Sequence, residues 1–159
     1  MSKQTFVIVG AGLAGAKAAQ ELREHGFDGR VVLIGSEPER PYERPPLSKD
    51  YLRGESEREK AYVHPAGFYS EQEIELLTGS AVAAIDPGAS RVLLEDNREL
   101  AYDRLLLTMG AEPRRLTVPG AELEGIHYLR TFADCDALRT LLEAAGGRVA
   151  VVGAGWIGS

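Results

Sequence analysis

The sequence contains very little cysteine: Cys135 is the only one among 159 residues. A lone cysteine excludes a disulfide within the chain and a cysteine-only metal site, which is typical of a reducing compartment, so we expect a cytoplasmic location. Cys135 itself is expected in the core or on a helix surface. The first residues also lack a targeting pattern, because they lead directly into a short apolar run that Gly10 interrupts.

Positive charge is scarce as well, with 18 Lys and Arg against 24 Asp and Glu, a net charge of −6 and an isoelectric point near 5.1. Nucleic acids and anionic membranes bind basic surfaces, so neither is an expected partner. No segment approaches the roughly 20 apolar residues needed to span a membrane. The length suits one ordinary hydrophobic core, and the oligomeric state is left open.

Strand and helix patterns alternate at the start of the chain. Residues 6–9 and 31–34 are apolar runs typical of buried strands, and residues 13–25 carry small and apolar side chains at helical spacing. This order predicts an α/β fold, a Rossmann-like parallel sheet with crossover helices. Four prolines then break regular structure between residues 36 and 65, where only a short helix over 48–52 is expected.

The middle of the chain predicts a small antiparallel β insert. Residues 92–94 and the segment from Leu100 onward flank a polar turn at 95–98, the pattern of a hairpin. An apolar strand at 105–107 and a helix over 131–145 follow. That helix is expected to bury one apolar face and to end at two glycines; the residues concerned are Ala137, Leu138, Leu141, Leu142, Ala145, Gly146 and Gly147.

A glycine-rich turn follows the first strand. Gly10 permits the tight turn, Gly12 lets the backbone approach a pyrophosphate, and Gly15 lets the next helix pack closely on the sheet. The helix N-terminus attracts phosphate through unpaired amides and the helix dipole. The pattern Gly-x-Gly-x-x-Gly in a strand–helix–strand unit therefore predicts a dinucleotide site.

The same glycine spacing recurs 143 positions later (153 minus 10), at Gly153, Gly155 and Gly158. We interpret residues 1–147 as an incomplete dinucleotide-binding domain and 148–159 as the start of a second, truncated Rossmann domain, opened by a strand at 149–152. The alternative is that this strand is the last of a single domain, with a frayed tail after it.

An acidic residue usually follows the second strand of a dinucleotide fold and binds the adenosine ribose. Glu37 stands 27 residues after Gly10, beyond the usual spacing of about 20. We expect Glu37 to bind the ribose, with Ser36 sharing or replacing its role; the alternative is that Glu37 is only a solvated residue at the end of a strand.

The run Arg40-Pro41-Tyr42-Glu43-Arg44-Pro45-Pro46-Leu47-Ser48-Lys49 is far more specific than either glycine motif. It resembles the FAD-dependent NAD(P)H:ferredoxin reductases that serve oxygenases and cytochromes P450, and also rubredoxin reductases and apoptosis-inducing factor. The resemblance extends along the whole chain. Where that family commonly has Ala-Thr-Gly, this chain has Thr108-Met109-Gly110, so the contact of the family threonine does not carry over.

The resemblance implies which residues contact FAD. Arg44 and Lys49 would reach the flavin, where a nearby cation favours the anionic reduced form, and Lys49 is the candidate catalytic residue. Pro45 would pack against the flavin, Val82 would contact the adenine end, and Arg130 matches another contact position. The complete set of predicted FAD contacts is Gly10, Gly12, Leu13, Ala14, Gly15, Ser36, Glu37, Arg44, Pro45, Lys49, Val82, Gly110 and Arg130.

The resemblance also implies the reaction. Glutathione-reductase-like relatives pass electrons through a cysteine pair, but the region after the second strand has proline and arginine in its place. Electrons would then pass from NAD(P)H to FAD as a hydride and leave singly for a ferredoxin or rubredoxin. The alternative is a stand-alone FAD- or nucleotide-binding module, or a regulatory protein, without turnover.

Overall fold

The computed structural model describes residues 3–145, 148–153 and 155–158. Its strands and helices, in chain order, are β1 (Thr5–Val9), α1 (Leu13–Glu24), β2 (Arg30–Ile34), α2 (Phe68–Glu71), β3 (Ile74–Leu77), β4 (Val82–Asp86), β5 (Arg91–Leu94), β6 (Glu99–Ala101), β7 (Arg104–Leu107) and α3 (Phe132–Ala145). Two 3₁₀ turns lie at Pro45–Ser48 and Arg58–Ala61.

The described residues group into two compact units. The first runs to Glu43 and resumes over Tyr62–Gly110; the second consists of Arg44–Ala61 and the described residues from Ala111 onward.

A four-stranded parallel sheet in the order β3-β2-β1-β7 forms the centre of the first unit. Side chains alternate between its two faces. Val7 and Val9 pack on one face, whereas Ile8 packs on the other with Ala19 of α1. Because both faces are covered, β1 and β2 are apolar along almost their whole length, which is why their sequences are continuous hydrophobic runs.

A three-stranded antiparallel sheet, β4-β5-β6, covers the Val7 face through Val92 and Leu94. The turn between β5 and β6 is the polar segment predicted at 95–98, where Asn97 adopts a φ of +67° that asparagine tolerates better than most residues. The predicted α/β class, a parallel sheet with crossover helices and a small antiparallel insert, is confirmed.

In the second unit, α3 packs against the turn Pro45–Ser48. The Cys135 thiol is buried and donates a hydrogen bond to the Leu47 carbonyl at 3.2 Å, so the expected core position of this cysteine is confirmed. Tyr51 meets Phe132 edge to face, with ring centroids 5.1 Å apart.

The strand predicted at 105–107 is present as β7, where Leu106 and Leu107 are 43% and 49% exposed at the edge of the described sheet. Two details differ from the sequence predictions. The short helix expected at 48–52 is a 3₁₀ turn at Pro45–Ser48, since proline is preorganised for a first helical position. Residues 149–152 form no strand, because no described segment pairs with them.

The prediction that α3 buries its apolar face is not met within its own unit, because Ala137, Leu141 and Leu142 are exposed and Leu138 is half-buried. The residues that the helix does bury, Phe132 and Cys135, lie near its start and were not among those predicted. The two glycines predicted to end it, at 146 and 147, lie outside the described residues, as does the boundary proposed between the two domains.

Candidate functional site

The carboxyl ends of β1, β2 and β7 meet at one edge of the parallel sheet. The Gly10 amide donates to the Ile34 carbonyl at 2.8 Å, and the Thr108 amide donates to the Val9 carbonyl at 2.7 Å. The turn after β1 therefore lies between the ends of its two neighbours. The chain leaves β1 toward β2 on one side while β7 lies on the other, which makes this the switch point where α/β sheets bind ligands.

Two glycines of this turn are required by the packing of the protein itself. Gly10 has a φ of +113°, and a Cβ there would stand 2.2 Å from the Thr108 carbonyl oxygen. A Cβ on Gly15 would stand 2.1 Å from the Gly10 carbonyl oxygen. No side chain fits at either position, so the turn and α1 are packed backbone to backbone.

Gly12 is different, because a Cβ built on it would meet nothing within 4 Å and its φ of −93° suits any residue. It caps α1 without a side-chain hydrogen bond, and the first helical turn, which begins with the exposed Leu13 and Ala14, contains no acidic residue. The described residues thus give no packing reason for glycine here. Bare amides at the start of a 12-residue helix are suited to binding a phosphate at that open position.

Glu37 follows β2 at the same edge and is held in place by a buried neighbour. The Tyr42 hydroxyl donates a hydrogen bond to the Glu37 carboxylate, and Tyr42 is only 3% exposed. The Glu37 carbonyl accepts a further bond from the Gly79 amide at 2.8 Å. Ser36 is exposed and its side chain has no comparable contact among the described residues, so Glu37 is the better-positioned candidate of the two.

Val82 and Gly110 complete the predicted residues of this unit. The segment leading to Val82 is tied to the end of β2, because the Ser80 amide donates to the Gly35 carbonyl at 2.8 Å. Gly110 follows β7 with a φ of +71°. The first unit thus gathers the glycine turn, Ser36, Glu37 and Gly110 at one edge of the sheet, with Val82 beside them.

The second unit contains the other predicted contacts. The Arg44 guanidinium donates to the Arg130 carbonyl at 2.8 Å, which brings these two candidates together. Pro45 begins the 3₁₀ turn, and the exposed Lys49 follows its end, with its amide donating to the Pro46 carbonyl at 3.1 Å. The turn therefore fixes the backbone of Lys49, an exposed residue.

A capping box holds the segment that contains Arg130. The Asp134 carboxylate accepts hydrogen bonds from the Thr131 amide at 2.8 Å and the Arg130 amide at 3.0 Å, while the Asp134 amide donates to the Thr131 hydroxyl at 3.2 Å. Partial burial acts to raise the pKa of Asp134, but these hydrogen bonds outweigh it and the pKa falls below its ordinary value. The carboxylate thus fixes the start of α3.

The second glycine motif repeats the backbone geometry of the first. Gly153 has a φ of +119°, a Cβ on Gly158 would stand 2.1 Å from the Gly153 carbonyl oxygen, and a Cβ on Gly155 would meet nothing within 4 Å. Gly153 thus corresponds to Gly10, Gly158 to Gly15 and Gly155 to Gly12. Ala154 lies outside the described residues.

Two residues at the sheet edge were not found from the sequence. A Cβ on Gly35 would stand 2.6 Å from the Ala11 side chain, so this glycine makes room for the turn. The Thr108 hydroxyl donates to the Gly10 carbonyl at 2.8 Å. Both residues come directly after an apolar strand, which is the one signal in the sequence that could have indicated them.

No cluster of three or more potential metal ligands occurs among the described residues. In the same part of the chain, every helix is too short or too polar to cross a membrane.

Comparison with known proteins gives a family match along the chain. The profile of the pyridine nucleotide-disulphide oxidoreductase family matches residues 4–159. The chain is 46% identical over 154 residues to the rhodocoxin reductase of Rhodococcus erythropolis, a match that covers 97% of this chain and 36% of that protein.

It is 48% identical over 158 residues to the ferredoxin–NAD(+) reductase component of the 3-phenylpropionate/cinnamic acid dioxygenase of Photorhabdus laumondii, covering 99% of this chain and 40% of that protein. Among solved structures, the covalent putidaredoxin reductase–putidaredoxin complex matches with a TM-score of 0.84 and 39% identity, over 89% of this chain and 35% of that one. The chain thus spans a little over a third of the length of these relatives.

Proposed function

Because the chain belongs to the pyridine nucleotide-disulphide oxidoreductase family, we propose that it is the FAD-binding part of an NAD(P)H-dependent ferredoxin reductase. The resemblance stated from residues 40–49 is confirmed, because the relatives that the chain matches are named rhodocoxin, ferredoxin and rubredoxin reductases. The observation that carries the proposal is the contrast within the glycine turn. Packing explains Gly10 and Gly15 but not Gly12, whose open position suits the close approach of a pyrophosphate.

The residues of the first unit fit the adenosine and pyrophosphate parts of FAD. The amides at the start of α1, which follow Gly12 at Leu13 and Ala14, would bind the pyrophosphate, and Glu37 would accept hydrogen bonds from the ribose hydroxyls. Ser36, Val82 and Gly110 are proposed as further contacts. This fit rests on two features: the start of α1 has no capping side chain, and Tyr42 orients the Glu37 carboxylate.

In the second unit, we assign contacts with the flavin to Arg44, Pro45, Lys49 and Arg130 on the strength of the sequence resemblance. When bound, FAD accepts a hydride from NAD(P)H and releases electrons singly to an iron–sulfur protein. Lys49, an exposed residue, would supply positive charge beside the flavin. The motif Gly153, Gly155 and Gly158 would open the NAD(P)H-binding domain at residues 148–159, after the FAD-binding residues 1–147.

We propose a ferredoxin or rubredoxin and NAD(P)H as the reaction partners, with no cysteine relay between them in this sequence. Residues 36–65, where disulfide-using relatives carry their cysteine pair, contain none. The names of the relatives support the same partners.

The test uses the complete product of the gene that encodes this sequence. After purification, the cofactor is released with acid and identified by chromatography, and the oxidation of NADH and NADPH is followed with and without a [2Fe–2S] ferredoxin. We expect one FAD per chain and ferredoxin-dependent electron transfer. A preparation that neither contains nor takes up FAD would overturn the proposal.

Two variants, one at the N-cap of α1 and one on its exposed side, test whether FAD binding depends on the glycine turn. Gly12→Ala places one methyl group at the open position, where it meets nothing within 4 Å, so the fold should persist while FAD binding weakens at least about tenfold. Lys17→Ala, on the exposed side of the same helix, should bind FAD normally.

A further inference from the structure

Thr108 is the first residue after β7, and its side chain lies against the glycine turn. Its hydroxyl is 2.8 Å from the Gly10 carbonyl oxygen and 3.2 Å from that of Val9. A threonine hydroxyl has one proton, and the shorter distance assigns it to Gly10. This contact joins β7 to the turn after β1 by a side chain, in addition to the backbone bond from the Thr108 amide to Val9 at 2.7 Å.

The Gly10 carbonyl is enclosed on two sides. The Thr108 hydroxyl donates to it, and the backbone of Gly15 approaches it so closely that a Cβ on Gly15 would stand 2.1 Å from its oxygen. The same Cβ would stand 2.9 Å from the Thr108 hydroxyl oxygen. The hydroxyl, the carbonyl and the first turn of α1 therefore form one packed contact.

The direction of this carbonyl sets the direction of the next amide. A trans peptide is planar and its C=O and N–H point in opposite directions, and no cis peptide occurs among the described residues. With the Gly10 carbonyl turned toward Thr108, the Ala11 N–H points away from Thr108. Rotation of this peptide would require the Thr108 hydrogen bond to break.

We infer that Thr108 is a positioning residue for the cofactor: its hydroxyl holds the Gly10–Ala11 peptide, and with it the turn that presents amides to the FAD pyrophosphate. This inference rests on the proposed function. It assigns to Thr108 a contact that the usual family sequence Ala-Thr-Gly does not provide at the same position, because alanine has no hydroxyl. Met109, which follows, is 67% exposed and makes no comparable contact among the described residues.

The test compares Thr108→Val and Thr108→Ala, which both lack the hydroxyl, with Thr108→Ser, which keeps it. Valine has nearly the shape of threonine, and alanine is smaller and adds no steric conflict, so at least one of the two should fold. Thr140→Val is the matched control: its hydroxyl donates to the Asp136 carbonyl at 2.9 Å, one turn earlier in α3.

The first measurement is hydrogen exchange without cofactor, followed by mass spectrometry of peptides that cover residues 10–15 in the complete gene product. Loss of one hydrogen bond should speed exchange there roughly fivefold in the valine and alanine variants. Thr108→Ser should restore the wild-type rate, and Thr140→Val should leave it unchanged.

The second measurement is the dissociation constant for FAD, which should rise by about the same factor in the valine and alanine variants and recover in the serine variant. Wild-type exchange and wild-type affinity in both hydroxyl-free variants would overturn the inference, as would a serine variant that behaves like valine. If the wild-type protein itself fails to bind FAD, the proposed function fails, and the exchange rates still decide whether Thr108 holds the turn.

Discussion

The backbone of Gly15 lies against Gly10 so closely that a Cβ on Gly15 would stand 2.1 Å from the Gly10 carbonyl oxygen. Gly158 and Gly153 have the same relationship, also at 2.1 Å. Two turns separated by 143 positions therefore share one backbone shape. In each, the third glycine is required because the backbone that follows the turn packs directly on it.

Gly15→Ala should destabilise the protein, whereas Gly12→Ala should not. A methyl group at position 15 forces the helix away from the turn, at a cost of about 3 kcal/mol or more, while one at position 12 enters open space and should change stability by less than about 1 kcal/mol. Urea unfolding of the two variants measures the difference. Equal midpoints would contradict the packing argument.

Arg23 should be the most important surface-accessible cation for the stability of the first unit. Its guanidinium donates to four carbonyls, those of Phe27 at 2.6 Å, Gly29 at 2.8 Å, Gln72 at 2.8 Å and Glu73 at 2.7 Å. It thereby joins the end of α1 to the segments before β2 and β3. Arg23→Met removes all four bonds and should cost about 2–3 kcal/mol of unfolding free energy.

Arg91→Met is the control for this change. Arg91 forms an exposed ion pair with Glu99 at 2.7 Å, and exposed pairs contribute less than about 1 kcal/mol. Chemical denaturation of both variants should give the larger loss at position 23. A similar loss at both positions would show that the carbonyl contacts of Arg23 add little.

His64 should make the protein less stable in mild acid. Burial lowers the pKa of His64 below its ordinary value of 6.5, and the charge of Lys17 lowers it further, against an opposing effect from Glu24. Below pH 6.5 the unfolded chain therefore binds a proton more readily than the folded one, and stability falls with pH until the folded pKa is reached. Above pH 6.5 His64 no longer makes the stability of the fold depend on pH.

His64→Phe removes the titration and keeps an aromatic ring stacked on Phe68, whose centroid lies 3.8 Å from that of His64. Unfolding free energies measured from pH 8 to about pH 5 should fall less steeply in this variant than in wild type. His127→Gln, at an exposed histidine, should keep the wild-type slope. Parallel profiles for wild type and His64→Phe would refute the prediction.

Asp134→Asn should weaken the capping box of α3 in a pH-dependent way. The folded pKa of Asp134 is below its ordinary 3.8, so the carboxylate stabilises the fold above that pH and loses its effect as the pH falls through the folded value. At pH 7 the variant should lose about 1 kcal/mol. The difference in unfolding free energy between Asp134→Asn and wild type should narrow in strong acid. Glu143→Gln, at an exposed residue of the same helix, is the control and should change the unfolding free energy little at either pH.

Tyr42→Phe should weaken FAD binding through Glu37. The change removes the hydroxyl that donates to the Glu37 carboxylate and keeps the ring, which meets Tyr62 edge to face at 6.5 Å. We expect a dissociation constant about fivefold higher, from the loss of one hydrogen bond that orients the carboxylate. Tyr62→Phe removes an equivalent bond to Glu39 and should leave FAD affinity unchanged. Equal effects of the two changes would argue against Glu37 as the ribose contact.

Much of the first unit could be predicted because its signals are local. Continuous apolar runs at 6–9 and 31–34 indicated buried parallel strands, and the polar turn at 95–98 indicated the hairpin. The position of β7 was harder to judge. Three leucines in a row suggest a strand covered on both faces, but the exposure of Leu106 and Leu107 depends on which strand forms the edge, and that depends on pairing across the whole sheet.

The candidate site, too, could be predicted from the sequence only in part. The glycine spacing alone indicated the turn at 10–15, since few other residues adopt a positive φ or tolerate backbone contact at so short a range. The sequence could not show that Thr108 meets Gly10, which lies 98 positions away. That contact arises because β7 pairs with β1 in parallel, with Leu107 opposite Val9, so that the residues leaving both strands emerge side by side.

By itself, then, the sequence determined the backbone requirements of this protein: where the chain must turn, which strands are buried, and where a helix start is left without a cap. The tertiary structure alone decided which side chain contacts that turn, since Thr108 meets Gly10 from 98 positions away, and which strand forms the edge of the sheet. The physical reason is that a positive φ and a hydrophobic run are local properties, whereas these contacts are set by the pairing of strands far apart in the chain.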